Sequence, residues 1–220
     1  EDNVPAKFVT NNFTKCAYNN LDLLKDFADR VDIITIEFEN IPCNLVKFLE
    51  KLRPVYPNSR VLYISQNRLR EKEFAKSLGI RVPNYKSVNN YIELEVAMKE
   101  MGLPAILKTL EMGYDGKGQI KIGYKNCLDL KKDLAINFSK HKHYVLEEFI
   151  PFKQEISVII ARNLKGEMSI FPIAENVHKN SILDTSTVPA NISEKVYNEA
   201  IDFAQKIAIE LDVIGLIAIE

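Results

Sequence analysis

The stretch AILKTLEMGYDGKGQIKIGY, residues 105–124, sets an apolar run, a glycine-rich loop and a run of alternating polar and apolar residues side by side. Short apolar and alternating runs around a glycine cluster predict strand, loop, strand. The loop GYDGKGQ, residues 113–119, takes three of the chain's eight glycines and places Asp115 and Lys117 among them. Glycine costs backbone entropy and is worth placing where a chain turns sharply or brings its amides close to a ligand. The loop is therefore either a hairpin connection or a cradle whose converging N–H groups bind phosphate oxygens. It is neither a Walker A loop nor a Rossmann fingerprint, because both lead into a helix and here a strand follows.

Lys108 stands in the otherwise apolar run just before the loop. An ammonium there needs an anionic partner or an escape to solvent. One strand could deliver a cation beside the cradle; the plainer alternative is a lysine on the open face of an edge strand. Glu147 and Glu148 close another apolar run and read as a solvated strand end, while Glu155 opens the next strand. His178 and Asp184 lie in loop-like sequence where polar groups from several strands could meet, and His141 and His143 look exposed, without a third metal ligand.

The bulk composition excludes several classes. Lys plus Arg (29) balance Asp plus Glu (30), so no positive field points to nucleic acid, and any anionic partner must be held locally. Cys16, Cys43 and Cys127 are odd in number and form no CxxC pair, which fits reduced thiols in a cytoplasmic protein. EDNVPAKFVT has neither a basic leader nor an apolar core, and the longest strongly apolar run, 213–219, is far below the ~18 residues of a membrane span. The chain opens without Met and stops directly after a strand-like run, as a piece of a longer protein would.

Around the loop the periodicity alternates between helix and strand. LDLLKDFADR, with Asn20 as N-cap, predicts a helix, and VDIITIEF a strand. Leu45, Val46, Leu49 and Leu52 mark a second helix face, after which Pro54 and Pro57 suggest a boundary near residues 55–59. NRLREKEFAKSLG reads as a charged helix closed by Gly79, and a helix over 91–101 ends at Gly102. IRVPNYKSV looks extended, LDLKKDLAINF helical, and YVLEEFI, EISVIIARN and EMSIFPIAENV strand-like, the last two joined by a hairpin-length LKG stretch. A long amphipathic helix over 194–211 precedes the final strand, giving a mixed α and β chain with antiparallel pairs.

Taken together, ITIEFENIP (34–42), QNRLREKEF (66–74), PAILKT with GYDGKGQ, EEFIPF (147–152), EISVI (155–159), PIAENVHKNSILDTSTVPA (172–190) and GLIAIE (215–220) resemble the N5-carboxyaminoimidazole ribonucleotide synthase family of ATP-grasp enzymes. The resemblance implies an α/β (α+β) fold, truncated at both ends. Residues 1–57 would be part of a Rossmann-like pre-ATP-grasp domain and 58–220 the ATP-grasp domain. Within the latter, a small subdomain would span about 80–148 and the C-terminal subdomain would start at 149–220.

By the same resemblance Arg68, Lys108 and Gly113, Tyr114, Asp115, Gly116, Lys117, Gly118 and Gln119 would hold ATP phosphates. Glu147, Glu148, Phe149 and Ile150 would form the hinge that meets adenine, Glu155 would bind ribose, and His178 would face the nucleotide. Tyr114, Asp115 and Lys117, with Glu37 or Glu39 and with Asp184, would lie toward the second substrate. Lys108, Tyr114, Asp115 and Lys117 would be the catalytic set, and Glu220 a Mg²⁺ ligand.

The reaction implied is ATP-dependent phosphorylation of bicarbonate to carboxyphosphate, followed by carboxylation of 5-aminoimidazole ribonucleotide in purine biosynthesis. The implied protein is a cytoplasmic homodimer coupled to a mutase, with no nucleic-acid or membrane partner. Three residues depart from the pattern that the resemblance implies. Asn67 stands where Asp usually precedes the arginine, and Leu110–Glu111 replace more basic or small residues before the loop. A ligase with another acceptor, a nucleotide-binding fragment without activity, and a purely structural α/β module are the competing expectations.

Overall fold

The computed structural model describes residues 5–113, 118–123, 138 and 143–220. A single 3-10 turn, Pro5–Phe8, precedes the first helix. In the N-terminal part, α1 (Leu21–Ala28) is capped by Asn20, whose side chain accepts from the Leu23 amide. The strand β1 (Ile34–Thr35) pairs in parallel with β2 (Val55–Tyr56), and α2 (Cys43–Leu49) connects them. Leu24, Ala28, Ile34, Leu45, Val46, Leu49, Val55 and Leu62 form its core.

The strand expected over VDIITIEF shrinks to two residues. Its partner β2 is flanked by Pro54 and Pro57, and a proline has no N–H to extend a ladder. β propensity without a partner leaves backbone groups unpaired, so the chain turns away after Thr35.

Next come α3 (Ser59–Ser65) and α4 (Arg68–Ser77), capped by Asn58 and Asn67. Gly79 follows α4 at φ +73°, where its amide and that of Ile80 return to Lys76 and Ala75 carbonyls and close the helix as expected.

A four-stranded antiparallel sheet then forms in the order β3-β6-β4-β5. Its strands are β3 (Tyr85–Val88), β4 (Ala105–Thr109), β5 (Gln119–Ile122) and β6 (Tyr144–Glu148). The helix α5 (Tyr91–Met101) covers one face, burying Leu94, Ala97 and Met98 against Val88, Ala105, Leu107, Ile122, Tyr144 and Leu146. Alternation along each strand therefore leaves Lys108, Gln119, Lys121 and Glu147 on the opposite face. The helix expected over LDLKKDLAINF lies outside the described residues except for Phe138, whose ring meets Tyr144 edge-on.

The second large sheet contains β7 (Glu155–Arg162), β8 (Met168–Ile170), β9 (Ala174–Lys179), β10 (Ile182–Thr187) and β11 (Gly215–Ile219). Its order is β10-β9-β7-β11, with β8 also on β7. The strand expected over EMSIFPIAENV is two strands, because Pro172 cannot donate to β7. β8 pairs with one half of β7 and β9 with the other. The long helix α6 (Glu194–Glu210) packs Ala204 and Ala208 against Val158, Ile160 and Ile173.

Candidate active site

Lys108 occupies an interior strand, since β4 lies between β6 and β5; the edge-strand alternative is set aside. Its Nζ donates to Glu147 Oε2 at 2.8 Å. Glu147, expected at a solvated strand end, is instead buried at 3% exposure. Its other oxygen, Oε1, lies 3.0 Å from Lys72 Nζ, reaching in from α4. Burial alone would raise the Glu147 carboxyl; the charge and hydrogen bond of Lys108, joined by the charge of Lys72, outweigh it and hold the group below the ordinary carboxylate value.

Lys72 is a member of this cluster that the sequence alone did not single out. It follows Arg68 by one helical turn, and the i, i+4 spacing that puts both on one face of α4 was the available signal. Glu71 also joins this cluster. Desolvation by neighbouring atoms pushes its carboxyl up, against the pull of Arg68, Lys72 and Lys108 and with the repulsion of Glu147. The side chain is nevertheless open to solvent, so that push is discounted for screening.

The end of β4 is lashed to the start of α4. The Arg68 amide donates to Leu110 O at 3.0 Å and Arg68 Nε to Thr109 O at 3.2 Å. Glu111 Oε1 accepts from Asn67 Nδ2 and Arg70 Nη2, both at 3.0 Å, and Arg70 lies 3.9 Å from the Tyr63 ring centroid. Gln66 Nε2 donates to the carbonyls of Glu39 and Ile41 at 2.6 and 2.7 Å. The loop bearing exposed Glu37 and Glu39 is thereby tied to the residue just before this junction.

At the other end of the glycine loop, Gly118 sits at φ +79° and its carbonyl accepts from the Thr109 amide at 2.8 Å. Gly113 and Gln119 flank the loop among the described residues; Tyr114, Asp115, Gly116 and Lys117 lie outside them.

Glu148, Phe149 and Ile150 begin the crossover from the first sheet to the second. Glu148 Oε2 accepts from Asn84 Nδ2 at 2.8 Å, the Phe149 amide donates to Pro104 O at 3.4 Å, and Lys121 Nζ stands 3.8 Å from the Phe149 ring centroid. Beyond the crossover, Glu155 Oε1 meets His178 Nδ1 at 2.7 Å. The register pairs Glu155 with Asn176, so Glu155, Asn176 and His178 share one face of the second sheet. Asn176, nearly buried, accepts from Ser186 Oγ at 2.8 Å.

Asp184 stands apart at a β-bulge on exposed β10, bound to Lys179 Nζ at 2.7 Å and to Thr185 Oγ1 at 3.0 Å. The Lys179 hydrogen bond, then that of Thr185, lowers its pKa. His143, exposed as expected, bonds Asn89 Oδ1 through Nδ1 at 2.6 Å.

Glu220 follows β11. Extending the β11–β7 register by one pair sets it opposite Ser157, on the same face as Glu155. Among the described residues no three His, Cys, Asp or Glu side chains gather into a metal site. Mg²⁺ binds through one or two carboxylates plus phosphate oxygens, so a lone exposed carboxylate on the Glu155 face fits that ion.

Two sheets thus turn polar faces outward around a crossover, one offering lysines and the other carboxylate and imidazole. Comparison with known proteins gives the arrangement its family. The ATP-grasp domain profile matches residues 73–220, and that of the ribonucleotide synthetase preATP-grasp domain matches residues 1–66. The chain belongs to the ATP-grasp family.

Among ATP-grasp relatives, the chain is 40% identical over 203 residues to an N5-carboxyaminoimidazole ribonucleotide synthase of Bacillus subtilis, covering 92% of this chain and 52% of that one. It is 38% identical over 220 residues to a bifunctional purine synthesis protein of Dictyostelium discoideum, covering 100% of this chain and 22% of that one. The structure superposes on an ADP complex of an N5-carboxyaminoimidazole ribonucleotide synthetase with a TM-score of 0.92 and 36% identity, covering 99% of this chain and 57% of that one. On the Staphylococcus aureus synthetase with ADP the TM-score is 0.88 at 31% identity, with 97% and 56% covered. The chain spans about half the length of the bacterial relative and about a fifth of the Dictyostelium one. Among the described residues no helix is long and apolar enough to cross a membrane.

Proposed function

We propose that this chain supplies the nucleotide-binding part of an N5-carboxyaminoimidazole ribonucleotide synthase. In this reading ATP is used with bicarbonate to carboxylate 5-aminoimidazole ribonucleotide in the cytoplasm. The observation that carries the proposal is Lys108 on an interior strand, held by buried Glu147 on the face free of α5. ADP complexes of two relatives above 30% identity support a nucleotide in the same fold.

Phosphoryl transfer needs positioning and charge neutralisation more than covalent help. Lys108 and Arg68 supply positive charge to the phosphates, and backbone amides of the glycine loop add donors around them. Phe149 and Ile150 offer main-chain groups to the adenine edge, and Glu155 accepts from ribose hydroxyls while His178 fixes its orientation. Glu220 would hold Mg²⁺, which when bound neutralises phosphate charge. Asp115, Lys117 and Tyr114, with Glu37, Glu39 and Asp184, are assigned to the acceptor side, and a unit boundary at residue 57 separates that side's N-terminal portion from the ATP-grasp domain.

The test is Mg²⁺-ATP hydrolysis by the protein with each substrate present or withheld. Turnover should require both bicarbonate and 5-aminoimidazole ribonucleotide, and Lys108→Ala should abolish it. Hydrolysis indifferent to both substrates would overturn the acceptor assignment, and ATP failing to raise thermal stability would overturn nucleotide binding itself.

A further inference from the structure

Glu147 is buried, and it grips the lysine that the nucleotide also needs. A carboxylate with 4% side-chain exposure cannot release Lys108 to a phosphate without being left uncompensated in a poorly solvated place. Lys72 meets the other carboxylate oxygen at 3.0 Å and is itself only 13% exposed.

We propose that Lys72 is a positioning residue that acts through Glu147, keeping the buried carboxylate neutralised so that Lys108 is free to serve a nucleotide phosphate. The proposal rests on the ATP-binding reading of this face. Counting charges in the cluster makes the point. Lys72 and Lys108 each meet one oxygen of Glu147, two ammonium groups on one carboxylate, which leaves a surplus of one positive charge. Without Lys72 the surplus vanishes, and Lys108 is committed to Glu147.

The other groups around Glu147 do not replace it. Tyr85 of β3 is its cross-strand neighbour and remains neutral, because burial and the nearby Glu73 raise its hydroxyl pKa. Lys121 of β5 stands over the Phe149 ring. Arg68 bonds the Thr109 carbonyl through Nε. Lys72 also lies 6.0 Å from the Tyr85 ring centroid, so its stem is seated between α4 and β3 and delivers the ammonium to one place.

The experiment measures ADP and ATP affinity by calorimetry for the unaltered protein and for Lys72→Met, Lys72→Arg, Lys108→Ala and the double variant Lys72→Met/Glu147→Gln, with circular dichroism to confirm folding. Lys72→Met should weaken binding about tenfold, the size of a coupling within one charge network. Its affinity should recover as pH falls and Glu147 takes up a proton. Lys72→Arg keeps the charge and should bind within about threefold of the unaltered protein. The double variant removes the carboxylate that Lys72 serves and should regain most of the loss.

Lys72→Met binding ATP as the unaltered protein does would overturn the proposal. So would a double variant no better than Lys72→Met, which would give Lys72 a direct or merely structural role. Lys108→Ala leaving affinity unchanged would instead overturn the nucleotide reading of the face, a different failure. Should Lys72→Met fail to fold, the comparison of Lys72→Arg with the double variant carries the test: both must bind ATP for the proposal to stand.

Discussion

Asn67 donates its side-chain amide to Glu111 Oε1 at 3.0 Å while its own Oδ1 caps α4, accepting from the Leu69 and Arg70 amides at 3.1 and 3.2 Å. Asn67 and Glu111, two of the three residues at which the sequence was expected to depart from the family pattern, are thus bonded to each other. An Asp at 67 would cap the helix equally well but would face Glu111 with a second carboxylate. The amide turns a like-charge contact into a hydrogen bond.

Asn67→Asp should therefore destabilise the junction of β4 and α4 despite preserving the cap. Glu111 is 55% exposed, so the loss should stay below about 1 kcal/mol and shrink with added salt. Asn67→Ala, which loses the cap as well, should cost about 1 kcal/mol or more. Urea unfolding of both, and of Asn67→Asp/Glu111→Gln, checks the coupling; a double variant as unstable as Asn67→Asp would show the two residues to be independent.

Gly118→Ala should disturb the return of the glycine loop. A Cβ there would lie 2.5 Å from Thr109 Oγ1, and the backbone is at φ +79°. Left-handed backbone alone costs a non-glycine residue about 1–2 kcal/mol, and the Thr109 contact adds to it. Thermal unfolding should show the loss, and Gly118→Ala/Thr109→Ser, which keeps the hydroxyl but removes a methyl, should recover only part of it.

Acid should unpick the Glu147 cluster. Because the folded carboxyl is held below its ordinary value of 4.5, the ionised group contributes stability above that value and loses it as pH falls through the depressed folded value. The gap in melting temperature between the unaltered protein and Glu147→Gln should be widest above pH 4.5 and should close below it. A gap that stayed constant from neutrality into strong acid would contradict the pairing.

Leu107→Ala should cost about 2–5 kcal/mol, since the side chain is fully buried between α5 and the sheet. The strand carries Lys108 on its other face, so nucleotide affinity should fall together with stability. Chemical denaturation and ATP titration of the same variant measure both. Unchanged affinity in a destabilised variant would mean that the lysine is positioned without this packing.

Local signals were legible where local physics decides the outcome. Asn20 caps its helix with its own side chain, and Gly79 and Gly102 end theirs at positive φ, all within a few residues of chain. The antiparallel pairing across the glycine loop followed from its flanking runs. Less was legible where pairing sets the length of a strand. VDIITIEF was cut to two residues by the prolines around its partner, and EMSIFPIAENV was split by Pro172.

The sequence alone determined the family resemblance, the order of most elements and which polar residues were worth watching, because helix caps, glycine turns and hydrophobic periodicity act over a few neighbouring residues. Only the tertiary structure decided that Lys108 lies on an interior strand, that Glu147 is a buried counter-charge, and that Lys72 completes the pair. Those facts depend on which strand becomes a neighbour and which helix covers it, and burial changes a carboxylate from a solvated end group into one that must be neutralised. No spacing within a single segment encodes a contact made between residues 72, 108 and 147.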